Sequence, residues 1–331
     1  MVDYRQSGVD IDAGNEVVRR IKQMARTTYT PGVLSGVGSF GGLFALDGAV
    51  VDPVLVASAD GVGTKLKVAF MTGVHHTIGV DLVNHCVNDI LVQGARPLFF
   101  LDYLATGRLS PDVAEQIVKG VAQACSANGC ALLGGETAEM PGFYTDGEYD
   151  VAGFIVGLVS RSKVIDGRDI KAGDVLIGLP SSGLHTNGYS LARRIVFDGL
   201  GLGVDDNVAE LGTTVGLALL APHRSYLQVV APLLDQGWIK GMAHITGGGL
   251  TENVPRTMPE GRSPRIDRAS WTVPPLFRWL QQGGDVSDDE MFRAFNMGVG
   301  MVMVCSPEHE ALLLSTLSAS GEAAWRLGEV V

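Results

Sequence analysis

The sequence predicts an α+β protein of two related domains rather than one wound sheet. Three observations carry this. The chain has 331 residues, which allows about two domains. Both halves run from an apolar strand through a glycine-bearing polar turn into a helix. Both also finish on a glycine-bearing apolar strand, VAGFIVGLV at 151–159 and NMGVGMVMVC at 296–305. Between them, residues 161–174 are charged and rich in turn formers, which places the expected domains at 1–168 and 169–331.

Composition bounds the function. A hydrophobic content of 46% supplies large cores, and a net charge of −11 excludes a general basic surface for nucleic acid or anionic membrane. No apolar run approaches the roughly 20 residues of a membrane span. The start, MVDYRQSGVDID, lacks the basic end and apolar core of a signal peptide, so a cytoplasmic protein is expected. Cys86, Cys125, Cys130 and Cys305 form no C-x-x-C pair and sit in apolar patterns, which predicts buried thiols.

Along the first half, residues 12–24 read as an amphipathic helix, ended ahead of Pro31. GVGSFGGLF at 36–44 contains G-x-G-x-x-G, but no strand precedes it and a β-like stretch follows, which excludes a dinucleotide fold. It is either a glycine flap laying backbone N–H groups over phosphates, with Gly36, Gly38, Gly41 and Gly42, or a mobile loop. Residues 54–59 form a strand that runs into DGVGTK, where Asp60, Gly61, Thr64 and Lys65 stand at the strand end. No Walker A pattern occurs, so any ATP site here is not a P-loop.

Residues 80–93 form a helix that ends at Gly94 ahead of Pro97. Its DLVNHCVND segment puts Asp81, Asn84, His85, Asn88 and Asp89 on one face. Asp and Asn are poor mid-helix residues, so their repetition suggests a site of oxygen donors for a hard cation such as Mg²⁺. The alternative is a helix that hydrogen-bonds its neighbours, and for His85 a structural hydrogen bond is expected rather than metal. A strand at 98–105 and a helix from Pro111 to Asn128 follow. A short strand at 131–133 then leads to GGETAEMPG, read as a tight turn flanked by Glu136 and Glu139. Either acid joins the carboxylates above or stabilises a helix N-terminus.

In the second half, a strand at 174–179 enters SSGLHTNGYS, whose His185 and Asn187 suit ligand contact at a strand-to-helix turn. Residues 217–236 read as a helix interrupted by proline. HITGGGLTEN then sets Gly247, Gly248 and Gly249 at a helix N-terminus, as a phosphate seat or as a hinge.

Together these motifs resemble the phosphoribosylformylglycinamidine cyclo-ligase (AIR synthetase) family. The resemblance runs in order through SGVDIDAGN, DGVGTKLK, TIGVDLVNHCVNDILVQGARPLFFLDYLATG, GGETAEMPG, DVAGFIVG, SSGLHTNGYSL, HITGGGLTENVPR and FNMGVGM. It implies two α/β-sandwich domains of the AIR-synthetase type, with N-terminal domains pairing into a β-barrel in a homodimer. It further implies ATP under the glycine flap, Mg²⁺ at Asp60, Asp81, Asp89 and Glu136 with Asn88 nearby, and Lys65 with Thr64 at the phosphates. The substrate, formylglycinamidine ribonucleotide, would present its phosphate to the second half, near His185, Asn187 and Gly247 to Gly249. One departure is the segment before the flap, Arg26-Thr27-Thr28-Tyr29-Thr30, which is less basic than the family pattern.

The chemistry suits such residues. Expelling a formyl oxygen requires prior phosphorylation, which asks for positioning and charge neutralisation rather than a Ser or Cys nucleophile. Competing expectations are another ATP-using member of the superfamily, of the selenophosphate synthetase or thiamine-phosphate kinase type, or a non-catalytic nucleotide-binding homologue. None of the four cysteines lies in the N-terminal glycine loop, where selenophosphate synthetase should carry its reactive residue.

Overall fold

The computed structural model describes residues 10–35, 37, 41–46, 48 and 50–331. The chain divides into two compact units, one of residues 10–90 and 96–160 and the other of 91–95 and 161–331. The first unit ends at Ser160, the last residue of a strand paired along residues 149–160.

In the first unit, α1 (Ile11–Arg26) is capped by Asp10, whose carboxylate accepts from the Asp12 and Ala13 N–H groups. The strands are β1 (Pro53–Gly61), β2 (Arg96–Thr106), β3 (Ala131–Glu139) and β4 (Tyr149–Ser160). They form one sheet in the order β1-β4-β2-β3, with only β2 and β3 parallel. The helices α2 (Leu66–Thr72), α3 (His76–Leu91) and α4 (Pro111–Ala127) lie between the strands in sequence. Period-two alternation sorts the sheet's faces: Val56, Phe100, Leu104 and Ile155 are buried, whereas Leu55, Tyr103 and Phe154 point to an open face.

One expectation is corrected here. The segment from Gly134 to Glu139 is no turn but the second half of β3, paired with β2 from Leu101 to Thr106. Glycine is needed there for close approach, since a side chain on Gly135 would run into the Asp102 carboxylate. The face of α3 bearing Asn84, His85 and Asn88 lies in the interior. All three are buried along with Asp81, and only Asp89 stays partly open.

In the second unit, β5 (Val175–Pro180), β8 (Ile239–His244), β9 (Pro264–Ile266), β10 (Val299–Cys305) and β11 (Trp325–Val330) build an antiparallel sheet. Its order is β8-β10-β5-β11-β9. Two-residue strands β6 (Asn207–Val208) and β7 (Thr213–Thr214) pair separately. Every residue of β10 is buried, as a central strand covered on both faces requires. The expected helix over 217–236 is instead three short pieces, Val215–Leu219, Leu227–Val230 and Ala231–Gln236, because Pro222 and Pro232 each remove a backbone donor. The two units share the α+β class but differ in strand number and order. No described helix is long and apolar enough to cross a membrane.

Candidate functional site

The first unit gathers acids where β1 ends. His85 Nε2 lies 2.8 Å from Asp60 Oδ2 and 3.6 Å from Asp89 Oδ2. Ser58 Oγ donates to Asp89 Oδ2 at 2.9 Å, and the Gly61 N–H donates to Asp60 Oδ1 at 2.7 Å. Partial burial pushes the Asp60 carboxyl up, but the hydrogen bond and charge of His85 outweigh it and leave the group below its ordinary value. Burial likewise pulls the His85 imidazole down, and the hydrogen bond it donates to Asp60 with the charges of Asp89, Asp60 and Asp81 outweighs it, holding the ring above its usual value. His85 thus bridges two carboxylates, and their charge favours its protonated form. Around the His85 nitrogen, Asp60, Asp89 and Ser58 supply oxygen donors, and a donor set dominated by carboxylates fits a hard divalent ion better than a soft one.

The remaining acids of the expected metal set stand apart. Asp81 pairs with Lys65 Nζ at 2.8 Å, and both side chains are wholly buried. Asp81 is therefore already neutralised, and Lys65, expected at a phosphate, is enclosed. Burial drags the Lys65 ammonium down while Asp81 supports it. Asn88 is also fully buried. Glu136 is exposed on β3, opposite Tyr103 and so on the open face, at the other edge of the sheet from Asp60. One chain does not bring it to Asp60. Glu139 is occupied by the backbone, accepting from the Asp10 and Leu109 N–H groups at 2.6 and 2.8 Å.

Asp102 escaped the sequence reading. It stands opposite Gly153 on β4, as Asp60 does from the other side, and burial pushes its carboxyl up to about 7. Its signal was an acid alternating into the apolar strand LFFLDYLAT.

Of the glycine flap, Gly36 and Gly38 lie outside the described residues. Its stem is a hairpin in which the Leu34 N–H donates to the Leu43 carbonyl and the Ala45 N–H to the Gly32 carbonyl. The departure at residues 26–30 is an anchor for that stem. Thr28 Oγ1 accepts from the Leu132 N–H at 2.7 Å, and the Tyr29 hydroxyl accepts from the Val37 N–H at 2.8 Å. Gly41 has open space where a side chain would stand, while Gly42 lies against Leu133. Thr64 is exposed, in a short helical turn after β1.

In the second unit, four segments distant in sequence converge. The Asn296 side chain accepts from Ser181 Oγ and the Gly298 N–H, and donates to the Gly183 carbonyl. The Asn253 side chain donates to the carbonyls of Thr246, Gly247 and Gly249, holding that loop in shape. Asn187 is half-buried beside Gly247. The helix after the glycines spans only Gly249–Asn253, too short for a strong dipole, and the Gly249 N–H donates to the Thr246 carbonyl at 3.0 Å. Glu252 lies against Gly248 and is held by Arg293 at 3.1 Å.

His185 is fully buried, at φ +61, a left-handed backbone that costs energy outside glycine and marks the loop as constrained for use. Its Nε2 accepts from the Ser182 N–H at 3.1 Å, so the neutral ring carries its proton on Nδ1. That leaves it a poor general base at Nε2. Gly300 makes the space, since any side chain there would strike the Tyr226 hydroxyl and the His185 ring.

Two family models match the chain: AIR synthase related protein, N-terminal domain, over residues 46–159, and AIR synthase related protein, C-terminal domain, over 171–331. A phosphoribosylformylglycinamidine cyclo-ligase of Sorangium cellulosum is 55% identical over 332 residues, covering 100% of this chain and 95% of that protein. One of Desulfitobacterium hafniense is 57% identical, covering 99% and 96%. Among solved structures, thiamine-monophosphate kinase from Stenotrophomonas maltophilia K279a superposes with a TM-score of 0.72 at 18% identity, covering 96% of this chain and 93% of that one. Hydrogenase maturation protein HypE in complex with ATP gives 0.64 at 19% identity, covering 93% and 83%. At such identities these two report the shared fold alone.

Proposed function

The chain belongs to the phosphoribosylformylglycinamidine cyclo-ligase family, and on that premise we propose how its own residues carry the reaction. It is a ligase of purine biosynthesis that uses ATP to close formylglycinamidine ribonucleotide into 5-aminoimidazole ribonucleotide, releasing ADP and phosphate. The observation that carries this is identity of 55–57% spread over both units at near-complete coverage, rather than a match to one motif.

ATP would lie under the flap, its phosphates meeting backbone N–H groups at Gly41 and Gly42 and the exposed Thr64, while Gly61 shapes the Asp60 carboxylate through its own N–H. Asp60 and Asp89 would hold Mg²⁺, with Ser58 orienting the second carboxylate. When bound, the ion neutralises charge on the phosphates during transfer. His85 plays the complementary part: its Nε2 lies between the same carboxylates, 2.8 Å from Asp60 and 3.6 Å from Asp89, and holds them in place for the ion. Lys65 acts indirectly, as the buried counter-ion that fixes α3 through Asp81.

The formyl amide oxygen takes the γ-phosphoryl group of ATP. A nitrogen of the same molecule then attacks the activated carbon, and the oxygen departs within phosphate. Because attacker and target are tethered, orientation supplies an effective molarity of up to about 10⁵ M or more. Asn187 and the Gly247 to Gly249 backbone hold the ribonucleotide's phosphate, and the buried His185 braces that loop from beneath. Two copies pair through the open sheet face, where Leu55, Tyr103 and Phe154 are 58%, 39% and 41% exposed, and their sheets join into a barrel. Four buried, unpaired thiols suit work in a reducing cytoplasm.

An isotope experiment tests the activation step. Substrate labelled with ¹⁸O at the formyl oxygen should yield one labelled oxygen in the released phosphate. Label appearing in water instead would rule out the phosphorylated intermediate.

A further inference from the structure

Three histidines meet inside the second unit, and the reaction as described uses none of them directly. His185, on the loop before Tyr189, and His223, after Pro222, are both 0% exposed; His244, the last residue of β8, is 6% exposed. The His185 and His223 rings stack with centroids 3.9 Å apart and planes 17° from parallel. His223 Nε2 and His244 Nε2 lie 2.9 Å apart, and His223 Nδ1 lies 3.4 Å from Thr186 Oγ1. Ser182 Oγ donates to the Pro222 carbonyl at 2.6 Å, tying the same two segments once more.

Three clustered imidazoles suggest a metal, but the stack argues otherwise. Ring-nitrogen lone pairs lie in the ring plane, so nearly parallel, overlaid rings aim theirs side by side rather than at one ion. The hydrogen bonds account for the cluster without metal. In a dry interior one Nε2 of the His223 and His244 pair donates and the other accepts, which both neutral tautomers can satisfy. A phenyl ring would fill the His223 position with no polar group to desolvate. What the imidazole adds is a directional link, the use for which buried polar groups are best suited.

We propose that His223 is a positioning residue for the ribonucleotide. It locks the Ser181 to Gly188 loop, through the stack on His185 and the Thr186 hydroxyl, to the end of β8 through His244. Asn187 is thereby fixed against Gly247 at the spacing the phosphate requires. This rests on the reading that Asn187 and the glycine loop hold that phosphate. His223 itself touches no substrate.

Steady-state kinetics of the full-length enzyme test it, with KM measured separately for the ribonucleotide and for ATP. His223→Phe keeps a stacked ring and deletes the link to His244. It should raise KM for the ribonucleotide about tenfold, the worth of one buried hydrogen bond, and leave KM for ATP unchanged. His223→Gln, which keeps a polar group directed at His244, should raise the same KM less. Loss of folding alone would lower the active fraction without moving one KM and sparing the other. An unchanged ribonucleotide KM in His223→Phe, or an equal rise in both constants, overturns the proposal. If His223→Phe does not fold, His223→Gln carries the test on the same two readings. Asn187→Ala separates the proposal from its premise. If it raises the ribonucleotide KM and the His223 variants do not, positioning by His223 fails; if none of them does, the phosphate is not held at this loop at all.

Discussion

At the scale of single residues, two aspartates that looked alike in sequence have opposite duties. Asp81 neutralises a wholly buried Lys65, whereas Asp89 is partly open and held by Ser58 and His85. Asp81→Asn strands a buried ammonium and should cost about 3–5 kcal/mol in urea unfolding. Asp89→Asn should cost under about 1 kcal/mol, as an amide can keep the Ser58 hydrogen bond, while sharply lowering Mg²⁺-dependent turnover. Equal losses of stability would contradict this division. Asp102 supplies a pH prediction. Its folded pKa of about 7 lies above its unfolded value of 3.8, so between those limits the native state holds the extra proton and stability falls as pH rises. Asp102→Asn should abolish that fall between pH 5 and 7, checked by chemical denaturation at both ends. The identity of the acids was legible in DGVGTK and DLVNHCVND. Their pairing was not, because helical spacing fixes a shared face but says nothing of what covers it.

At the scale of elements, periodicity located α1, β1, β2, α4, β4, β5 and β10 to within a few residues. It failed where glycine or proline answers to packing. GGETAE reads as a turn until Asp102 is seen to occupy the space beside Gly135, and the proline-interrupted helix read over 217–236 separates into three short pieces. Glycine also sets the approach of α3 to α4. A side chain on Gly79 would meet the Ile117 carbonyl, and one on Gly120 the His76 carbonyl, both of them backbone that cannot step aside. Gly120→Ala should therefore destabilise the protein by about 1–3 kcal/mol, although alanine is the better helix former. A rise in melting temperature would show that the helices do not touch there. The histidine cluster was illegible for another reason. His185, His223 and His244 lie on three separate segments, and APHRSY carries no motif of its own to single out His223.

At the scale of the molecule, the first unit leaves one sheet face apolar and open while its other face is packed under helices. A second copy covering it predicts a dimer in sedimentation velocity, and Phe154→Lys should shift the protein to monomer with the second unit's fold intact. A wild-type monomer at micromolar concentration would refute the pairing. The two units together are asked to join ATP, a divalent ion and a phosphorylated ribonucleotide in one reaction. The most direct test of that account is turnover by the purified protein given Mg²⁺, ATP and formylglycinamidine ribonucleotide. The account predicts 5-aminoimidazole ribonucleotide with equimolar ADP and phosphate, and ATP hydrolysis without ring closure by folded protein would contradict it.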